Sequence, residues 1–384
     1  MKYIEDIDTK NKKVILRLDL NVTLKDGNII DDTKIKKSIP TIKYLLNNNA
    51  HILIMSHLGK IKTMQDMKDN SLKPVCDKLS ELINKDIYFV DNPKSDELLT
   101  VLDNHELVLM ENTRYMDFPD KKESGNDLEL AKFWSSCGEV FINDAFGTTH
   151  RCHASNAGIA KFLPTAYGFL IKNELVGLKP IIEDVVRPFN VIMGGAKVDD
   201  KIRLIGSMLE NADNVLVGGG IANTFLKASG YKVGASLYSE DYVKEIKELI
   251  DNNKDKISMP IDVVCDEFNK KVICNIEDVT DDMKILDIGP KTVEEYAKVL
   301  RKSKTIFVNG TLGLYEDERF KDGTVNIYEE LKNIDAVKIA GGGDAVSSVK
   351  KLGYELAFDF LSTGGGATLE YIADKSLKCF EGDK

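Results

Sequence analysis

No two of the six cysteines (Cys76, Cys137, Cys152, Cys265, Cys274, Cys379) are spaced C-x-x-C, so neither a disulfide framework nor a zinc site is suggested, and reduced, mostly buried thiols are expected. No stretch reaches 18 consecutive apolar residues, and MKYIEDIDTK at the start lacks the apolar core of a secretion signal; the expected compartment is the cytosol. Positive charge is in deficit. A formal net charge of −10 argues against nucleic acid or an anionic membrane as partner. Two nucleotide signatures are missing as well. Nothing reads G-x-x-x-x-G-K-[ST], which excludes a P-loop, and the three G-x-G runs carry Asn223, Val346 and Leu369 where G-x-G-x-x-G needs its last glycine, which counts against hydride transfer to a dinucleotide. Low-complexity tracts and short repeats are absent, so solenoids are excluded.

What the chain does contain is a repeated pattern. An apolar strand runs into a glycine turn and then a helical pattern five times: VIMGGAKVDDKI from Val191, VLVGGGIANTF from Val215, IFVNGTLGLYE from Ile306, KIAGGGDAVSSV from Lys338 and FLSTGGGATLE from Phe360. Glycine lets a backbone approach a polyanion, and a helix start aims free N–H groups and the positive dipole end at phosphate. Any one such turn has a local explanation; five together point to a nucleotide pocket built from several strand ends of one parallel sheet.

The first half alternates strands (13–20, 51–58, 87–90, 107–112, 139–146) with apolar-periodic helices (35–49, 71–84), which means parallel pairing with right-handed crossovers. A mostly helical segment over 167–185, interrupted by Pro180, marks a boundary. At 384 residues two domains are expected: an α/β protein with two Rossmann-like domains, each a parallel sheet flanked by helices, joined by an interdomain helix. Residues 1–168 with the tail 370–384 form one and 169–369 the other.

Polar residues collect where the first-half strands end: Asp19 and Asn21, then His57 and Lys60, then Arg114, then His150, Arg151 and His153. Strand carboxyl ends are where an open α/β sheet holds its ligand. Lys34, Lys60, Arg114 and Arg151 in a net-acidic chain suit a small, multiply anionic ligand. The His150/Cys152/His153 spacing beside an arginine is a poor metal site.

Taken in order, LRLDLNV, DDTKI, SHLGK, ENTRY, NDAFGTTHRCHAS, GGAKVDDKI, GGGIANTFLKA, LDIGPKT, VNGTLGLYE, GGGDAV and STGGGATLE resemble the motif series of phosphoglycerate kinase over residues 13 to about 372. The resemblance implies reversible phosphoryl transfer between 1,3-bisphosphoglycerate and ADP, with Mg2+ and ATP or ADP, small-molecule partners only, and a monomer. The first domain would bind 3-phosphoglycerate and the second the nucleotide, with closure about the interdomain helix and the C-terminal tail returning to the first domain. Matched residue by residue, the acid site would use Asp19, Asn21, Lys34, His57, Lys60, Arg114 and Arg151. The nucleotide site would use Gly194, Gly195, Lys197, Lys201, Gly218, Gly219, Asn309, Glu316, Gly343 and Asp344, with Asp344 on the metal. Lys34, Lys197, Gly364, Gly365 and Gly366 would stabilise the migrating phosphoryl group.

That reaction starts from a carboxylate, so it needs no general base, only positioning and charge neutralisation. The chain departs from the family pattern at Lys34 and Lys60, where arginine is usual and a planar fork is exchanged for a compact charge. It departs also at Thr23, Thr311, Val308, Asp199 and Asp359-Phe360. These departures leave two other readings open: a nucleotide-binding homologue without catalysis, and a kinase for another small carboxylate.

Overall fold

The computed structural model describes residues 1–199 and 201–379. The chain divides into two compact units. One comprises Met1–Val176 with the stretch that begins at Ser376, and the other is Gly177–Lys375. The division falls inside the helix Phe169–Ile182, which carries Pro180 in its last turn rather than breaking there.

The first unit is built on six parallel strands in the spatial order Tyr88–Val90, Leu107–Met110, His51–Met55, Lys13–Leu18, Val140–Asp144 and Thr165–Tyr167. The last of these was not anticipated from sequence. Alternation sorts the side chains: Val14, Leu16, Ile52 and Ile54 join one core, whereas Ile15, Leu53 and Met55 join the core on the opposite face. Both faces are therefore covered, which is why the strands read as continuous apolar runs. Each such fully buried side chain stabilises the unit by about 1.5–3 kcal/mol. The helix Thr33–Asn47 contributes Ile35, Ile42 and Leu45 to the first core. Strand order reverses between Lys13–Leu18, whose successor in the sheet lies on one side, and Val140–Asp144, whose successor lies on the other. Loops leaving those two carboxyl ends diverge and leave a crevice.

The second unit has its own six parallel strands, in the order Ile257–Ser258, Asn214–Val217, Phe189–Met193, Thr305–Asn309, Val337–Ala340 and Phe360–Leu361. Here the reversal lies between Phe189–Met193 and Thr305–Asn309. An additional antiparallel sheet, Lys270–Asn275 with Asp262–Glu267 and Lys284–Ile288, departs from the expected repetition of the parallel scheme. Its hairpin turns on Phe268 and Asn269, both at positive φ (49° and 65°), the backbone that matches strand twist in a two-residue turn.

Of the five glycine turns, three lead straight into helices: Gly219–Ala228, Gly343–Leu352 and Gly366–Asp374. The other two do not. After Phe189–Met193 the next helix begins only at Ile202, and after Thr305–Asn309 only at Asp322. Their glycines serve close packing across the crevice instead. A Cβ on Gly194 would lie 2.1 Å from the Thr311 carbonyl oxygen, and one on Gly310 would lie 2.2 Å from that of Gly194.

Candidate active site

In the first unit the strand Lys13–Leu18 delivers Asp19 to the crevice, and the first turn of Thr33–Asn47 delivers Lys34. Lys34 Nζ donates to Asp19 Oδ2 at 2.9 Å. Asn21 Oδ1 accepts from the Gly59 amide at 2.9 Å, tying the loop after Leu18 to the turn that carries His57 and Lys60. Lys60 itself is exposed and has no ion-pair partner among the described residues. Arg114 sits on the turn Thr113–Asp117 and donates from Nη1 to Asp117 Oδ2 at 3.0 Å. Arg151 is exposed, with its Nε donating to His150 Nε2 at 2.9 Å, which leaves the imidazole proton on Nδ1.

Beneath these lies a residue that sequence reasoning missed. Arg17 is fully buried; its Nε donates to Ser155 Oγ at 2.9 Å, and its Nη2 lies 3.1 Å from His57 Nδ1. Ser155 in turn donates to the buried Glu123 carboxylate through Oγ (2.5 Å) and its amide (3.0 Å). Burial pushes the Glu123 carboxyl up and the Arg17 charge pulls it back down. The signal was an arginine inside KVILRL, a strand otherwise apolar on both faces.

The histidines are not the source of positive charge. Burial, and then the charges of Arg17, Arg114 and Lys34, hold His57 well below the usual imidazole range. Burial with Arg151 takes His150 down to about 4, and burial with Arg114, Arg17 and Arg151 takes His153 down to about 3. All three are neutral at pH 7; Arg17 and Arg114 act on both His57 and His153, Lys34 on His57, and Arg151 on His150 and His153. Arg114 Nε, His150 Nδ1 and His153 Nδ1 are buried without a hydrogen-bond partner; His153 Nδ1 is 3.9 Å from Glu123 Oε1, beyond hydrogen-bond reach. Buried donors are costly unless an acceptor completes them, and anionic oxygens are such acceptors.

In the second unit the helices Gly219–Ala228, Gly343–Leu352 and Gly366–Asp374 start without any side-chain cap; the Gly219 and Ile221 amides donate to the Leu312 and Gly195 carbonyls and the Ala367 amide to that of Gly364, so only the remaining first-turn amides are available to an anion. Gly365, at φ 56° and ψ −120°, holds a backbone that only glycine adopts readily. Lys201 Nζ donates to the Gly194 carbonyl at 2.7 Å. It lies over Gly195, where an added Cβ would be 2.8 Å from that nitrogen and 3.9 Å from Asp344 Oδ2. A cavity of about 290 Å³ opens beside them, with Gly195, Gly219, Glu316 and Asp344 on its lining and Leu237, Ile285, Leu286 and Leu314 as apolar walls. The antiparallel sheet supplies Ile285 and Leu286, a contribution the sequence reading did not foresee. Lys197 is exposed and is not part of that lining. Asn309 is buried and away from the lining, where its Nδ2 donates to the Gly341 carbonyl at 2.7 Å and clasps two turns together. Asp287, pushed up to about 7 by burial, accepts from the amides of Gly323 and Ile288 and supports the turn at Gly313.

A sequence model of the family described as phosphoglycerate kinase matches residues 4–375. The chain belongs to the phosphoglycerate kinase family. It is 46% identical to a phosphoglycerate kinase of Enterococcus faecalis, over 98% of this chain and 97% of that one, and 45% identical to one of Macrococcus caseolyticus with the same coverage. The solved phosphoglycerate kinase of Coxiella burnetii superimposes with a TM-score of 0.88 at 33% identity, covering 99% of this chain and 98% of that one. The enzyme of Pyrococcus horikoshii gives 0.85 at 30%, covering 100% and 98%. Phosphoglycerate kinases are phosphotransferases that use a carboxyl group as acceptor and ATP or ADP as co-substrate. Among the described residues no helix is long and apolar enough to cross a membrane.

Proposed function

We propose that the chain interconverts 1,3-bisphosphoglycerate plus ADP with 3-phosphoglycerate plus ATP as a cytoplasmic, monomeric glycolytic enzyme, with the acid held by the first unit and the nucleotide by the second. The observation that carries the reading is the cation cluster around three neutral histidines, in a chain matched to the family over residues 4–375. Arg114, Arg151 and Lys60 neutralise the phosphate of the acid, Asp19 and Asn21 order its backbone, and His57 offers a neutral hydrogen bond. Lys34 is held by Asp19 at the reacting carboxylate.

On the nucleotide side the apolar cavity accommodates the base, and Glu316 on its lining is placed for the ribose. The Gly194–Gly195 and Gly218–Gly219 turns and Lys201 line the phosphate path. Lys197, with the amides at Gly364, Gly365 and Gly366, neutralises charge on the group in transit. Asn309 acts indirectly, by fixing the turn before Gly343 and Asp344. Among the described residues no cluster of three or more His, Cys, Asp or Glu is arranged to hold a metal by itself. A lone Asp344 carboxylate therefore fits Mg2+ that takes most of its ligands from nucleotide oxygens and water. Asp344 would hold Mg2+ there, and the ion would supply charge neutralisation on the nucleotide phosphates.

The test is ATP formation from ADP and 1,3-bisphosphoglycerate, followed with a coupled assay. Turnover supports the reading. Nucleotide binding without turnover assigns the chain to a non-catalytic homologue, and turnover only with another acyl phosphate changes the substrate.

A further inference from the structure

Cys152 and Cys379 lie 227 positions apart in sequence yet meet in the first unit. Cys379 Sγ is 3.3 Å from the carbonyl oxygen of Arg151, the peptide group that continues into Cys152. The Cys379 amide donates to the Thr149 carbonyl at 3.0 Å, and its carbonyl accepts from Tyr167 Oη at 3.3 Å. From that contact and standard bond lengths the two α-carbons are at most about 9 Å apart, so a small shift reaches the spacing of about 4.4–6.8 Å that a disulfide needs. The two thiols differ in kind. Cys152 is exposed and Cys379 buried; burial, with the nearby Cys152, raises the Cys379 thiol far above its ordinary value. Four cysteines remain: Cys76 and Cys137 stand apart, and Cys265 and Cys274 neighbour each other in the antiparallel sheet of the second unit.

We propose that Cys152 and Cys379 form a peroxide-sensitive switch on the loop that carries His150, Arg151 and His153. Peroxide meets the exposed thiol first: Cys152–SH and HOOH give Cys152–SOH and water. Cys379 Sγ then attacks that sulfur, the S–O bond breaks, and the departing oxygen takes the Cys379 proton as a second water. Two thiols are oxidised to one disulfide and one peroxide is reduced to two waters. The bond ties the stretch after Ser376 to the loop and draws Cys152, and with it the Arg151 backbone, toward Cys379. The kinetic consequence, though not the bond, rests on Arg151 binding the acid substrate.

Full-length reduced protein is treated with hydrogen peroxide, blocked with N-ethylmaleimide, digested and mapped by mass spectrometry, with kinetics on a parallel sample. The expected result is a Cys152–Cys379 linked peptide and a rise in KM for 3-phosphoglycerate of about tenfold, the cost of one weakened charge-assisted contact. KM for ATP should stay unchanged, dithiothreitol should reverse both effects, and Cys152→Ser should abolish both. In Cys379→Ser the reaction should halt at a Cys152 sulfenic acid that dimedone captures. Peptides that stay unlinked, a Cys265–Cys274 link in their place, or a KM rise that persists in Cys152→Ser overturns the proposal. A linked peptide with unchanged KM in an active enzyme refutes the switch. A linked peptide in a protein that never turns over supports the bond and counts against the proposed reaction instead.

Discussion

Arg17→Met tests whether the cation cluster rests on a buried charge network. Arg17 and Glu123 are both wholly removed from solvent and communicate through Ser155, which takes a hydrogen bond from Arg17 at 2.9 Å and gives two to Glu123. Methionine keeps most of the length and apolar volume. What is lost is the positive charge, leaving Glu123 uncompensated and His57 Nδ1 without its partner, while Ser155 keeps only its bonds to Glu123. Removing one member of such a buried pair costs about 3–5 kcal/mol. With a urea dependence of about 1–3 kcal/mol/M, taken near its upper end for a unit of this size, the midpoint should fall by roughly 1–2 M. Two units need not unfold together, so the probe must belong to one. Trp134 is the only tryptophan, fully buried in the same unit, with its indole N–H donating to the Pro93 carbonyl at 2.7 Å, and its fluorescence therefore follows the unfolding of the unit that holds Arg17. Arg17→Met with Glu123→Gln should recover at least half of the loss, because a neutral amide leaves no stranded charge. A shift below about 0.3 M for the single variant, or a double variant that loses the sum of both singles, would refute the reasoning.

Three further predictions concern function and pH. Lys34→Ala should lower kcat/KM for 3-phosphoglycerate by about ten- to one hundredfold, the value of a charge-assisted contact, while Lys34→Arg should raise turnover severalfold; steady-state kinetics that put Lys34→Arg at or below the parent would show a site readapted around lysine. Asp344→Ala should weaken binding of Mg2+-nucleotide far more than of metal-free nucleotide in calorimetric titrations, and equal weakening would remove Asp344 from the metal. His150 and His153 are neutral when folded, down to about pH 4 and 3, but gain protons near pH 6.5 when unfolded. The stability they hold is therefore complete above about pH 6.5 and drains away as pH falls toward 4. His153→Asn should flatten that acid slope of the Trp134 urea midpoint by up to about one proton, and an unchanged slope would place a charged His153 in the folded protein.

Local pattern carried a large part of the architecture. The α/β class, two parallel sheets and the helices Thr33–Asn47 and Lys73–Ile83 follow from runs of β-branched residues and apolar positions three and four apart. The antiparallel sheet escaped because Lys270–Asn275 buries none of its six residues and exposes four of them, so its alternation carries little apolar signal. Among the residues named from sequence, Asp19 and Lys34 are in direct contact, Arg114 and Arg151 both act on His153, and Lys201 and Asp344 meet at Gly195. Asn309 and Lys197 are not on the cavity lining.

Residue order alone determined which side chains stand at strand ends, since strand, turn and helix each depend on neighbours within a few positions. Only the tertiary structure decided what those side chains are paired with. Arg17 meets Ser155 across 138 residues because Lys13–Leu18 lies beside Val140–Asp144 in the sheet. That adjacency then sets the burial of Arg17 and the neutral state of the histidines around it. Strand order is settled by packing both faces of the sheet at once, and no local window of sequence encodes it.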